Sequence, residues 1–513
     1  MQTIRTKIVA TMGPAVSSPE MLFELFKAGV GVCRLNFSHG PLDEHLLQLR
    51  NIREAAARWD QPIALLGDLC GPKIRLGKVA DVDGMGGMPI AVGDELVVQR
   101  EAIVGGQGRV STTYPHFVDD VQVGDRVLIE DGMLRFVCTA KSFGELRCAC
   151  TIGGVLKSSK GINLPNTAVT VPSISDRDWE CADWAIENDL DYLALSFVRK
   201  PEDLQLLREH LVNKSSDIQI IAKIEKAEAI KAIDAIIDAS DGLMVARGDL
   251  GVEMDVAQVP ILQKDLVKRC QSAGKPVIVA TQMLQSMIEN ATPTRAEVSD
   301  VANAIFDGAD AVMLSGETSV GRFPLATVHT MAHVAQTTEE YLVAQATPRE
   351  PALKIKTTPL SSALARGVWQ MVQELRAALV VIWSQSGSTA RIFSKMRFPV
   401  PVLALSSDHR ALRRMSLHFG VVPLEMAPPD GMAALVADVD KLVRARGYAR
   451  DGERIVIVAG AALGTPNTLN GAVIHTVGET WAAAARQDAP AGEAPHASRG
   501  EENEPRMNAD ERR

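Results

Sequence analysis

Short apolar segments recur through this chain with room for one helix between each pair, and that rhythm restricts the fold more than any other feature. Eight such segments lie within residues 1–70 and 170–345: Lys7–Met12, Gly31–Ser38, Pro62–Leu69, Asp191–Val198, Gln219–Glu225, Gly242–Asp249, Pro276–Met283 and Ala309–Glu317. Amphipathic stretches separate them. Strands that alternate with helices build parallel sheets through right-handed crossovers. Eight units in about 250 residues predict an α/β chain with a (β/α)8 barrel. An open doubly wound sheet would want a glycine fingerprint after its first strand, and none follows Lys7–Met12.

The rhythm breaks once inside the barrel. Residues 71–169 carry alternating patterns and turn glycines, as in Ala91-Val-Gly-Asp-Glu-Leu-Val-Val and Asp125-Arg-Val-Leu-Ile-Glu-Asp-Gly. These predict short antiparallel strands, a small β-barrel inserted in a βα loop. Such loops overlie the active end of a barrel, so the insert is placed to act as a lid. Residues 346–480 read as a third, α/β unit, with strands Ala378–Trp383, Val400–Ser406, Val421–Met426, Arg454–Ala459 and Ala472–Val477 between helical stretches. In residues 481–513, Met507 is the only large apolar residue after Trp481, and a disordered tail is expected.

Composition narrows the partners. The net charge of −9 disfavours nucleic acid and acidic membranes. No run of ~18 apolar residues predicts a membrane span, and Met1–Ala10 has no apolar core of a secretory signal. The seven cysteines are scattered, and the close pair Cys148 and Cys150 falls in an alternating run where strand packing explains it. Free thiols in a reducing cytoplasm are expected.

Polar residues gather at the C-terminal ends of the barrel strands, where active sites of this fold lie. A strand points alternate side chains to opposite faces. Arg34, Asn36 and Ser38 therefore share one face of the second strand, and Cys33, Leu35 and Phe37 the other. Lys223 and Glu225 share a face of the fifth. Asp249 falls at the end of the sixth, behind Gly248. Thr281, Glu317 and Asp68 close the seventh, eighth and third. Each position alone suits a strand cap, a turn or a structural ion pair. Together they describe a site. Two carboxylates ~4 Å apart repel by about 4 kcal/mol at an effective dielectric of ~20. A divalent cation removes that penalty and takes oxygen ligands, so Glu225 and Asp249 are the candidate metal ligands, with Mg²⁺ or Mn²⁺ favoured over Ca²⁺. Gly248 lets backbone N–H groups approach an anion.

Six segments in order around the insert carry a family resemblance: Arg34-Leu-Asn-Phe-Ser-His-Gly40, Gly67-Asp-Leu-Cys-Gly-Pro-Lys-Ile-Arg75, Lys160-Gly-Ile-Asn-Leu-Pro165, Ile220-Ile-Ala-Lys-Ile-Glu225, Met244-Val-Ala-Arg-Gly-Asp-Leu-Gly-Val-Glu253 and Ala280-Thr-Gln-Met-Leu284. Over residues 3–480 the chain resembles the pyruvate kinases. The resemblance implies phosphoryl transfer from phosphoenolpyruvate to ADP, giving pyruvate and ATP. It implies that Glu225 and Asp249 hold Mg²⁺, that Arg34 grips the phosphate and that Lys223 neutralises the moving phosphoryl group. It implies that backbone around Gly248 and Asp249 holds the substrate carboxylate, and that Thr281 positions the water that protonates the enolate. Asn36, Phe37, Ser38, His39, Arg75 and Lys160 would line the nucleotide side, and a second Mg²⁺ would arrive with the nucleotide. A homotetramer is implied, assembled through the third unit.

One segment departs from the commonest family pattern. Relatives that need K⁺ bind it through groups matching Asn36, Ser38, Asp68 and the backbone of Leu69, and carry Glu where this chain has Lys73. The pattern here resembles the K⁺-independent branch, with the Lys73 ammonium standing in for the ion. In the third unit, Ser384, Ser386, Gly387, Ser388 and Thr389 form a strand-to-helix turn that suits the phosphate of an effector, with Arg391 and Lys395 following at helical spacing and the loop Gly460–Asn470 completing the pocket. An ordinary N-capped turn is the alternative. The competing functions are another Mg²⁺-dependent barrel enzyme that forms an enolate, such as a carbon–carbon lyase, and a non-catalytic binder. The first has no need of a lid bearing Arg75 and Lys160. The second has no need of Lys223, Glu225 and Asp249 together.

Overall fold

Strands that are apolar on both faces must be covered on both, and a closed barrel ringed by helices does so. The computed structural model describes residues 4–82, 84–165, 167–345, 359–460 and 469–480. Eight parallel strands close into a barrel: Lys7–Thr11, Val30–Asn36, Ala64–Asp68, Tyr192–Leu195, Gln219–Ile224, Gly242–Ala246, Val277–Ala280 and Ala311–Leu314. Period two sorts their residues. Val9, Val32, Leu66, Tyr192, Ile221, Met244 and Ile278 fill the interior. Ile8, Cys33, Leu35, Leu65, Leu193 and Ile220 pack outward with helical residues such as Leu22, Leu49 and Leu204.

The strands end earlier than the sequence predicts, and the differences fall at the site. The sixth stops at Ala246, and Arg247–Glu253 is a helix. Asp249 therefore sits in a first helical turn, where the helix dipole favours a carboxylate, instead of at a strand end. The seventh stops at Ala280 because Thr281 and Gln282 take positive φ of 70° and 55° and turn the chain out of the sheet. The eighth stops at Leu314, and Gly316–Ser319 is helical.

The insert contains a six-stranded sheet and a two-stranded one. Its pairs are antiparallel except Glu95–Gln99 with Arg109–Ser111, which run parallel. The six-stranded sheet is not closed edge to edge; Arg75 bridges Gly161 on one side and Leu76 bridges Thr112 on the other, completing the circuit. The insert's connections are pinned to the barrel. Gly71 N–H donates to Asp178 Oδ1 at 3.1 Å, and Asp178 closes the capping box with Ser175 that starts helix Asp176–Glu187. Arg199 donates to the carbonyls of Val169 and Val171 at 2.8 and 2.9 Å.

The third unit has five strands. Leu379–Trp383, Val402–Ser406, Val421–Glu425 and Arg454–Gly460 are parallel, and Leu469–Thr476 runs antiparallel to the last of them. Strict alternation with helices therefore does not extend to the final pair. Residues 461–468, within the predicted effector loop, and 481–513, the predicted tail, lie outside the described residues. This unit closes the N-terminal end of the barrel. Leu417 enters the barrel interior beside Val32 and Tyr192. Tyr192 Oη donates to the Arg414 carbonyl at 2.7 Å, and Ser416 Oγ to that of Pro62 at 2.8 Å. Lys395 pairs with Asp310 at 2.7 Å, both without solvent exposure. The seven cysteines are free thiols, and six are buried.

Candidate active site

Four charges meet at the C-terminal mouth of the barrel because the second and third strands end side by side with their polar residues in register, and the fifth ends across the intervening fourth. Arg34 lies beside Leu66, and Asn36 beside Asp68, on the neighbouring strand. Arg34 Nη2 lies 2.6 Å from Asp68 Oδ2, and its Nη1 donates to Thr11 Oγ1 at 2.8 Å. Lys223 Nζ lies 3.0 Å from both Asp68 Oδ1 and Glu225 Oε1 and donates to Ser196 Oγ at 2.7 Å. Glu225 accepts the Phe197 N–H at 2.8 Å, an approach set by a left-handed Phe197 with φ of 54°. Burial works against the Lys223 charge, but Asp68 and then Glu225 outweigh it and raise its pKa. Burial likewise opposes the Asp68 carboxylate, and Lys223 and Arg34 still hold it below the usual range.

Asp249 is tuned the other way. Burial, and then the neighbouring Glu225 charge, push its carboxyl up to about 6, while Lys223 and Lys73 pull against them. A buried carboxyl that also faces a second carboxylate leaves room for added positive charge. Among the described residues no group of three or more His, Cys, Asp or Glu is arranged to hold a metal. A cation between Glu225 and Asp249 would thus complete its shell with water and substrate oxygens, which suits Mg²⁺ and fits the donor set poorly for zinc.

The remaining predicted residues divide. Thr281 Oγ1 accepts the Gly248 N–H at 2.7 Å and donates to the Ala280 carbonyl at 2.6 Å, so the Gly248 donor is already engaged. Arg247 fixes this corner from behind through Asp300 at 2.7 Å and the Thr281 carbonyl at 2.8 Å. Asn36 Oδ1 accepts the Ser38 N–H at 3.3 Å, and His39 is exposed. Phe37 buries its ring edge-on against His45 and Trp184. Only its backbone is left to a ligand, as its place on the apolar face requires. Arg75 and Lys160 stay in the lid, on the Ser159 carbonyl at 3.0 Å and Glu130 at 2.6 Å. Lys73 is exposed on the cleft that Asp249, Asp131, Lys226 and Phe197 also line. The groups named for a monovalent cation have internal partners: Asp68 as above, and the Leu69 carbonyl the Ser196 hydroxyl at 2.7 Å. Ser196 and Phe197 were missed in the sequence, although Ser196 carries the same polar strand-end signal as Asp68.

In the third unit, Gly387 at φ of 78° precedes helix Ser388–Ser394; Ser384 Oγ accepts the Ala390 N–H, and Ser386 and Ser388 bond each other. Thr389 is half-buried. Arg391 and Lys395 do not support a phosphate there. Arg391 donates to the Gly274 carbonyl of the barrel, and Lys395 is spent on Asp310.

Residues 3–328 match the family model "Pyruvate kinase, barrel domain", and residues 362–475 match "Pyruvate kinase, alpha/beta domain". A pyruvate kinase of Geobacillus stearothermophilus is 41% identical over 483 residues, covering 93% of this chain and 81% of that protein. One of Mycobacterium tuberculosis is 41% identical over 481 residues, covering 93% and 99%. The crystal structure of a pyruvate kinase from Cryptosporidium parvum superposes with a TM-score of 0.84 at 32% identity, covering 92% of this chain and 96% of that one.

Proposed function

The chain belongs to the pyruvate kinase family, and on that premise we propose how its own residues perform the family's reaction. Phosphoenolpyruvate gives its phosphoryl group to ADP, leaving pyruvate and ATP, the closing step of glycolysis; the lyase alternative has no support. The family depends on a divalent metal. Glu225 and Asp249 are the residues that fit one, as Mg²⁺ or Mn²⁺, with a second ion brought by the nucleotide. The metal supplies positive charge at the substrate's oxygens.

The observation that carries the assignment is Lys223, a buried ammonium suspended between Asp68 and Glu225 at the barrel mouth. It faces the charge that moves when the P–O bond of the enol phosphate breaks and a bond to the ADP β-phosphate forms. Arg34, steadied by Asp68, binds the phosphate. The Asp249 N–H, in the first turn of its helix, binds the substrate carboxylate. The Gly248 N–H joins it once Thr281 releases it. Thr281 then orients the water that delivers a proton to the enolate carbon. Asn36, the Phe37 backbone, Ser38 and His39 face ADP from the barrel, and Arg75 and Lys160 face it from the lid.

Domain limits follow the same reading: a barrel of residues 1–70 and 170–345, a lid of 71–169 and an assembly unit of 346–480. The enzyme is placed in the cytoplasm as a homotetramer; a light-scattering mass other than four times 55.2 kDa would refuse that state. Among the described residues no helix is long and apolar enough to cross a membrane. K⁺ is not required in this reading, because Lys73 brings a fixed cation to the cleft beside Asp249. Steady-state rates of ATP formation test both points. Activity should require Mg²⁺ and persist in K⁺-free tetramethylammonium buffer. No ATP from phosphoenolpyruvate and ADP would end the assignment, and a strong dependence on added K⁺ would end the role given to Lys73.

A further inference from the structure

Helix Arg247–Glu253 presents Asp249 in its first turn and Glu253 at its last position. The two are four residues apart and so share a side of the helix. The Glu253 side chain is 2% exposed. Its Oε1 accepts Lys226 Nζ at 2.6 Å and Asn163 Nδ2 at 3.0 Å. Lys226 is the residue after Glu225. Asn163 belongs to the lid, in edge strand Ile162–Asn163. One oxygen thus joins the helix bearing Asp249, the residue beside Glu225, and the lid.

Two further contacts point the same way. Lys226 Nζ lies 5.9 Å over the ring of Phe197, whose N–H holds Glu225. The lid turn at Gly132 approaches Val252, so that a Cβ there would lie 3.8 Å from Val252 Cγ1. A buried ion pair is a poor choice for stability alone, because an apolar pair of similar volume is often as stable. A directional contact between lid and helix needs the charge.

We propose that Glu253 is a positioning residue that registers the lid against the Glu225–Asp249 pair, so that lid docking and divalent-cation affinity form one equilibrium. With Asn163 docked, Oε1 is held from two sides and the helix is fixed. With Asn163 withdrawn, Lys226 holds it alone and the Asp249 end gains freedom. Coupling between sites is reciprocal, so a bound cation strengthens docking as much as docking strengthens the cation. The inference rests on Glu225 and Asp249 being the cation's ligands.

The test is Mn²⁺ binding to the full chain without nucleotide, read by electron paramagnetic resonance of free Mn²⁺. Groups that orient metal ligands typically contribute 10–100-fold in affinity, so Glu253→Gln should weaken Mn²⁺ about tenfold. Asn163→Ala, a lid change that touches no cation ligand, should weaken it about threefold and raise KM for ADP while KM for phosphoenolpyruvate stays within about twofold. The double variant should fall short of the product of the two effects. Glu225→Gln is the control. If it loses Mn²⁺ while Glu253→Gln and Asn163→Ala bind within twofold of wild type, the inference is wrong and the metal pair stands. A lowered Tm with unchanged Mn²⁺ affinity would likewise reduce Glu253 to a structural role. If Glu225→Gln binds Mn²⁺ as wild type does, the pair itself is wrong and the inference falls with it. Should Glu253→Gln not fold, Asn163→Ala alone decides.

Discussion

Lys223→Met separates the charge proposed to act on the phosphoryl group from the charge that holds the site together. Lys223 Nζ is 3.0 Å from each of two buried carboxylates. At that distance and an effective dielectric of ~20, each attraction is roughly 5 kcal/mol before desolvation is counted. Removal leaves Asp68 to Arg34, at 2.6 Å, and leaves Glu225 with the Phe197 N–H, at 2.8 Å. Deleting one partner of a buried pair costs about 3–5 kcal/mol, and the metal-free variant should lose stability of that order. A divalent cation then meets less positive charge and two ligands that repel each other more strongly. It should bind at least as tightly as in wild type and return part of the lost stability. Turnover cannot be recovered this way. Loss of a preorganised cation at the transferred group should lower kcat on the order of 10³-fold. Denaturant unfolding with and without Mn²⁺, Mn²⁺ titration and initial rates of ATP formation measure the three effects. Wild-type turnover, or Mn²⁺ affinity tenfold weaker than wild type, would refute the reasoning.

Two other expectations come from burial. The Asp249 carboxyl rises from 3.8 to about 6 in the fold, so between these values the native protein binds more protons than the unfolded chain. Metal-free stability should therefore fall as pH rises through that window, by about 3 kcal/mol in all. Asp249→Asn should melt above wild type at pH 7 without metal and lose that advantage towards pH 4; equal melting at pH 7 would contradict the shift. Leu417→Ala, which empties the barrel's N-terminal plug, should cost about 2–5 kcal/mol in chemical denaturation, and an unchanged midpoint would show that the plug carries no load.

The barrel was readable because both faces of its strands are buried, and eight apolar runs cannot be hidden by surface variation. Strand ends were less readable. Asp249 was expected to end a strand, and the chain instead turns helical at Arg247, anchored by Asp300, 53 residues away. Alternation placed the Phe37 side chain on the apolar face, and the structure packs its ring on His45 and Trp184, which leaves only its backbone to a nucleotide. Helical spacing put Arg391 and Lys395 on one helix, but their partners Gly274 and Asp310 lie in the barrel. Local pattern shows which residues share a face and says nothing of what meets that face from far along the chain. The partners of Asp68 show the same limit, since one comes from the second strand and the other from the fifth.

The two ends of the barrel are built for different duties. At the N-terminal end, Leu417 fills the interior, Lys395 and Asp310 pair without exposure, and Arg413 reaches the buried Asp191 at 2.8 Å. Separating these groups would expose apolar surface and unpaired charge together, so this end is costly to open. At the other end the insert, the proposed lid, is pinned at its connections through backbone groups, at Gly71 by Asp178 and at Val169 and Val171 by Arg199. At Gly71, φ is 67° and a Cβ would lie 2.6 Å from the Phe197 ring, so the first hinge is wedged against the residue that holds Glu225. Pinned pivots let the body of a lid swing without losing register. The Asn163–Glu253 bond lies off those pivots, where one hydrogen bond to a charged group is worth about 1.5–3 kcal/mol. That is enough to bias a lid and too little to lock it. A rigid floor and a lightly latched lid suit a reaction that must exclude water during transfer and admit it afterwards to protonate the enolate.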